Sequence, residues 1–139
     1  MDSEDAGRIE AVAQAFSRSA PADWSSIRVE ASSVTEVTGF TARATLPGGE
    51  VQSFYIEDDE LEDRVIDEVE NLRRQMATRS GDRGAWFTMT IDVSSDGKYS
   101  AQFDYESKPK FDFEVSRESL LADLEEFPRS TEFYPEWLR

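Results

Sequence analysis

An α+β domain, with an antiparallel sheet of five or six strands and helices packed on one face, is the fold this sequence predicts. Three observations predict it. Stretches with helical spacing are separated by runs of consecutive stretches in which apolar and polar residues alternate. Those alternating stretches are joined by short glycine-containing turns, which makes them antiparallel neighbours. Each has one apolar side, so the helices have a single sheet face to cover.

The first helix is expected over Asp5–Ala20, where Ile9, Val12, Ala13, Phe16 and Ala20 recur with helical spacing and Pro21 stops it. A first strand follows over Ser26–Val34, with Ile27, Val29 and Ala31 alternating with Arg28, Glu30 and Ser32. A second runs over Thr38–Leu46, with Phe40, Ala42, Ala44 and Leu46 on one face, and a third over Val51–Ile56. A two-residue Gly48-Gly49 loop is expected between them, pairing Leu46 with Val51, Ala44 with Ser53 and Ala42 with Tyr55. The next stretch is a long helix whose stripe is Leu61, Val65, Val69, Leu72 and Met76. Asp58 or Asp59 caps it and Gly81 ends it. Its acids crowd the first half, and Arg73, Arg74 and Arg79 sit in the last turns, as the helix dipole favours.

Trp86–Tyr105 carries the clearest alternation in the chain. A two-residue Asp96-Gly97 loop would put Met89 opposite Asp104, mixing apolar and polar side chains on one face. The three-residue loop Ser95-Asp96-Gly97 removes the conflict, pairing Val93 with Tyr99, Ile91 with Ala101, Met89 with Phe103 and Phe87 with Tyr105. A short sixth strand is conceivable at Phe111–Val115. Ser116 caps a last helix with Leu120, Leu121, Leu124 and Phe127 as its stripe, ending at Pro128. The tail holds Phe133, Tyr134, Trp137 and Leu138, enough apolar area to require docking. A chain of 139 residues with no hinge-like stretch fits one domain, residues 1–139.

Composition narrows the function. There is no cysteine and no histidine, so disulfides, thiolate chemistry, cysteine zinc sites and histidine general bases are excluded. An enzyme would have to rely on carboxylates, Tyr, Ser, Lys or Arg, and neither a phosphate-binding glycine loop nor a GxSxG turn is present. The expectation is a protein that is not an enzyme and uses no cofactor. The acidic opening MDSEDAGRIE differs from a secretion signal and no run matches a membrane span, so a cytoplasmic protein is expected. A net charge of −15 argues against direct nucleic-acid binding and suits solubility or a basic protein partner.

The acids offer two candidate surfaces. Asp92, Gln102 and Asp104 lie on the polar face of the Trp86–Tyr105 hairpin, and Glu106, Asp112 and Glu114 continue it if the following connection folds back beside it. Glu57, Asp58, Asp59 and Glu60 form a second cluster at the start of the long helix. That cluster reads more readily as a cap and solvated face than as a metal site, since a calcium loop's D-x-D-x-D-G spacing is absent. Asp104 and Glu106 are the pair a carboxylate-dependent hydrolase would use, and edge-strand acids that discourage aggregation are the structural alternative.

Several stretches together resemble the YezG-like family of bacterial polymorphic-toxin immunity proteins. They are the hairpin strand from Trp86 to Asp92, Asp96-Gly97-Lys98-Tyr99, Phe103-Asp104-Tyr105-Glu106, Leu120 to Leu124 with Phe127-Pro128-Arg129, and Phe133-Tyr134-Pro135-Glu136-Trp137-Leu138. The likeness covers the chain from Trp86 onward, and the upstream elements follow the same order loosely. It implies an antitoxin that binds a cognate toxin domain, commonly a nuclease and expected from an adjacent gene, and blocks its active-site cleft. Under that reading Asp92, Gln102, Asp104, Glu106, Asp112 and Glu114 are the first candidates for partner contact, and Glu57, Asp58, Asp59 and Glu60 the second. Trp86, Phe103, Tyr105, Phe127, Tyr134 and Trp137 are assigned to the fold. The alternative is an acidic adaptor or nucleic-acid mimic that binds a basic cellular protein.

Overall fold

The structure, a computed structural model, describes residues 2–35 and 37–139. Asp2 caps the first helix by accepting the Glu4 N–H at 2.8 Å, and α1 runs over Ser3–Ser19. Ile9, Val12, Ala13 and Phe16 are buried along it, as their spacing predicts. Strand β1 (Ser26–Val34) is followed by β2 (Val37–Thr45) and β3 (Val51–Phe54). Helix α2 (Asp59–Ser80) starts at its cap Asp58 and ends where Gly81 takes φ 59°. Strands β4 (Thr88–Ser94) and β5 (Tyr99–Asp104) form the hairpin, and α3 (Arg117–Glu126) starts at its cap Ser116.

The five strands form one antiparallel sheet in the order β3-β2-β1-β4-β5. Helices α1 and α2 run antiparallel over one face, stitched by Arg8 to Glu68 and Gln75 and by Arg79 to Asp5. Beneath them Val29, Ala31, Ala44, Met89 and Ile91 are fully enclosed. Phe16 of α1 meets Phe40 and Phe54 edge-on, at ring separations of 5.3 and 6.2 Å. Replacing so enclosed an aromatic ring by alanine removes about 3–5 kcal/mol. None of the helices of the described residues is long and apolar enough to cross a membrane.

The β4–β5 pairing follows the expected register: Val93 faces Tyr99, Ile91 faces Ala101 and Met89 faces Phe103. Gly97 takes φ 90°, and the Ser94 N–H closes the loop on the Lys98 carbonyl at 2.9 Å. The expected pair of Phe87 with Tyr105 does not form. The Phe87 N–H reaches the Asp104 carbonyl although Thr88 is the residue paired with Asp104, so two residues oppose one and the alternation slips. Trp86 therefore enters the main core beside Phe103 and Tyr105, while Phe87 turns into a second cluster.

The β2–β3 hairpin departs from expectation by one residue. Thr45 pairs with Val51, Ala44 with Gln52 and Ala42 with Phe54, leaving Pro47-Gly48-Gly49 as the loop with Gly49 at φ 89°. A shift of one residue exchanges the faces of a strand. Phe54 thus packs on Phe16, and Tyr55, expected inside, is 68% exposed. Burying Phe54 under the helices, with Ile56 also buried beyond the strand, favours this register over one that buries Ser53 and Tyr55. No sixth strand forms at Phe111–Val115 among the described residues. Leu121 of the expected α3 stripe is exposed, whereas Leu120 and Leu124 are buried.

The second cluster closes the sheet end at which β1 turns into β2. Val34, Phe87, Leu120, Leu124 and Leu138 are its buried members, and Trp137 meets Phe87 edge-on at 5.1 Å. Two arginines bind it to the rest. Arg73 of α2 is 3% exposed and grips Asp123 of α3 through two bonds of 2.6 and 2.7 Å, while its Nε donates to the Trp86 carbonyl. Asp123 also accepts the Thr35 N–H at 2.7 Å. Among the described residues Arg129 has no carboxylate within bonding distance. It donates to the carbonyls of Tyr105, Ala85 and Phe133 and lies 4.4 Å over the Phe87 ring. Burial pushes the Arg129 pKa down and nearby Arg73 and Arg83 add to this, against the opposing pull of Asp123. Gly84, at φ 77°, leaves room for that side chain, since a Cβ there would fall 2.6 Å from Arg129 Cγ.

Candidate partner interface

Among the described residues no helix covers the second face of the sheet over most of its length, and the residues of that face follow from the register. One cross-strand row reads Ser53, Arg43, Arg28, Asp92, Ser100; the next reads Thr41, Glu30, Thr90, Gln102. Asp92, expected as an acidic contact, is held by Arg28 through bonds of 2.7 and 3.1 Å. Hydrogen bonding to Asp92, followed by its charge, raises the Arg28 pKa above the ordinary value. Arg43 lies directly across from Arg28, and Lys98 joins them in a groove of about 620 Å³. This part of the expected acidic face therefore carries a cationic excess. The pattern behind it was available in the sequence, because Arg28 and Arg43 alternate with the buried residues of their strands.

Gln102, Asp104 and Glu106 do come together, around a groove of about 420 Å³ shared with Thr90, Arg83 and Tyr105. The Arg83 guanidinium lies 4.1 Å from the Tyr105 ring centre. Asp104 turns the chain out of β5 by accepting the N–H groups of Glu106 and Ser107, each at 2.9 Å. Partial burial acts to raise the Asp104 pKa, yet the Ser107 and Glu106 N–H groups outweigh it and hold the carboxyl below its usual value. Asp104 is thus engaged by its own backbone, while Gln102 and Glu106 are exposed.

Asp112 and Glu114 do not continue this surface. The connection after Glu106 crosses the end of the sheet instead of returning along β5. It brings Phe111 over Gly39 of β2, at 3.2 Å from where a Cβ would stand, with Asp112 beside Thr38, Gly39 and Phe54. In the cross-strand row Gly39, Ser32, Thr88, Asp104 only Gly39 has no side chain, so the aromatic ring can settle against the sheet there. Both acids are exposed, and the four-acid surface of Asp104, Glu106, Asp112 and Glu114 is not formed.

Glu57, Asp58, Asp59 and Glu60 stand together at the start of α2, all exposed. Asp58 is engaged as the cap, accepting the Glu60 and Leu61 N–H groups at 3.0 and 3.3 Å. Among the described residues the other three make no ion pair. Beside them a groove of about 500 Å³ runs along β3, lined by Arg18, Gln52, Ser53, Tyr55, Glu57 and Asp58. Sequence reasoning missed the exposure of Val51 and Tyr55 on this edge, at 58% and 68%. Its signal was the uncharged run Val51–Ile56 in a chain of which 32% is charged.

Compared with known proteins, the chain matches no protein-family model and no curated protein.

Proposed function

We propose that this protein is a cytoplasmic antitoxin that neutralises a cognate bacterial toxin domain by binding it, stoichiometrically and without turnover. The observation that carries the reading is the placement of its negative charge. From Glu57 to Glu70 there are nine carboxylates and one arginine, and among the described residues only Glu68 of these acids is held in an ion pair. An exposed helix face with that excess attracts a basic surface over a distance set by salt, and it speeds encounter more than it strengthens the final complex. A nuclease, which must present cations to phosphates, is the toxin class whose cleft best complements it. The resemblance of the chain from Trp86 onward to YezG-like immunity proteins supports the same class of partner. Within this reading the start of α2 ranks ahead of the hairpin face, because Asp92 and Asp104 are already engaged by Arg28 and by the backbone.

The test is co-expression with the product of the adjacent gene, followed by capture at low and high salt. Rescue of growth, with capture that weakens as salt rises, is the expected result. Failure of both rescue and capture overturns the proposal. Recovery of a housekeeping nucleic-acid-binding protein in place of a toxin establishes the adaptor reading.

A further inference from the structure

We infer that the outer edge of β3 is a strand-addition site for an extended segment of the protein partner that carries lysine or arginine. The inference rests on the reading that this protein works by binding another protein, and adds the surface, the backbone mode and the charge of the partner segment.

Strand β3 is the last in the sheet order, so among the described residues one side of its backbone has no strand beside it. Soluble proteins blunt such edges with charged residues, proline or a bulge, because an open edge is a template for another chain. Val51–Ile56 has none of the first two, and the ladder of Val51–Phe54 with β2 runs without interruption. The opposite edge is different: β5 itself contains a charge, ending in Asp104, and its Tyr99 hydroxyl lies 3.5 Å from the Ala6 carbonyl of α1. The β3 edge adds two apolar anchors to its free backbone, Val51 and Tyr55, which are spaced to lie on one face of an added strand's neighbour.

Charge selects the occupant. Glu57–Glu60 begin three residues beyond the strand, and Arg18 is the one cation lining the groove that includes Glu57 and Asp58. Val51 at the other end borders the cationic groove of Arg28, Arg43 and Lys98, so the partner's cation belongs beside Tyr55 and Glu57. A second copy of this chain, paired antiparallel through β3, would bring Glu57 and Asp58 of one copy toward Glu50 of the other and join two chains of charge −15. A partner segment with a cation beside its strand meets the opposite situation.

Hydrogen exchange of the complex with the adjacent gene product tests this, beside capture by Val51→Lys/Tyr55→Lys and Glu57→Lys/Asp59→Lys variants. Circular dichroism and thermal midpoints confirm that the variants are folded. The expected result is exchange slowed about tenfold or more at the Val51–Ile56 amides, and affinity reduced about tenfold or more in both double variants. A complex protected elsewhere, with Val51→Lys/Tyr55→Lys binding like the wild type, overturns the inference and leaves the antitoxin reading standing. Absence of any complex and of rescue removes that reading and this one with it. Concentration-dependent dimerisation of the isolated protein, with protection at Val51–Ile56, assigns the edge to a second copy and also overturns it.

Discussion

Two arginine–aspartate pairs in this molecule have nearly the same two-bond geometry and opposite surroundings. Arg73–Asp123 is 3% exposed on both sides and joins α2 to α3, whereas Arg28 and Asp92 are 61% and 41% exposed and join β1 to β4. Water screens the second pair and already solvated its partners before folding, so its net contribution is small. The first pair has lost that hydration, and each member depends on the other. Alike in contact distance, they differ in what removal leaves behind, a buried lone charge or a hydrated one. The buried pair therefore belongs to the fold, while the exposed pair shapes the charge of a surface.

The largest effect should come from Asp123→Ala, which strands Arg73 and removes the acceptor of the Thr35 N–H. A loss of about 3–5 kcal/mol in unfolding free energy is expected by urea titration. Replacing both partners by apolar residues, as in Arg73→Met/Asp123→Leu, should recover much of it; a double variant no better than the single one would show that the comparison has misplaced the penalty. Arg129→Met comes next, because three carbonyls lose a charged donor at once, and about 2–4 kcal/mol is expected in the same measurement.

Asp104→Ala should remove about 0.5–1 kcal/mol at neutral pH, the scale of a lost side-chain cap. Its pH dependence has a definite sign. The folded Asp104 carboxyl titrates below its unfolded value, so its contribution is complete above the unfolded pKa of about 4 and is lost as pH falls through the folded pKa. Wild type and variant should thus converge in stability below about pH 4 in acid-titrated melts. Asp92→Ala should be the smallest, under about 1 kcal/mol and smaller still in high salt. A loss there as large as that of Asp123→Ala would break the comparison outright.

The two hairpins mark how far the sequence could be read. Both turn on three residues with glycine last, at φ 89° and 90°. In Trp86–Tyr105 a wrong loop length would have put Met89 opposite Asp104, so alternation itself fixes the register from Met89 to Tyr99. In Val51–Ile56 three apolar residues follow one another, Phe54-Tyr55-Ile56, and alternation cannot choose between the faces. Helix α1's packing against Phe54 decides, and that contact is distant in sequence. The same distance hid the bond between Arg73 and Asp123. Arg73 in the C-terminal part of its helix has a sufficient local explanation, and nothing near it points to a carboxylate on another helix. At the candidate interface the acids were visible but their engagements were not: Arg28 beside Asp92 follows from strand pairing, and the crossing of Phe111 to Gly39 from a connection without periodicity.

Every buried member of the main core lies at or before Tyr105, while the second cluster needs Leu120, Leu124 and Leu138. As the nascent chain leaves the ribosome, the sheet and its two covering helices can consolidate before Asp123 and Arg129 have emerged. During that interval the Arg73 guanidinium lacks Asp123 and the Tyr105 and Ala85 carbonyls lack the Arg129 donor, so these contacts of the sheet and its two helices are completed only once α3 and Arg129 follow.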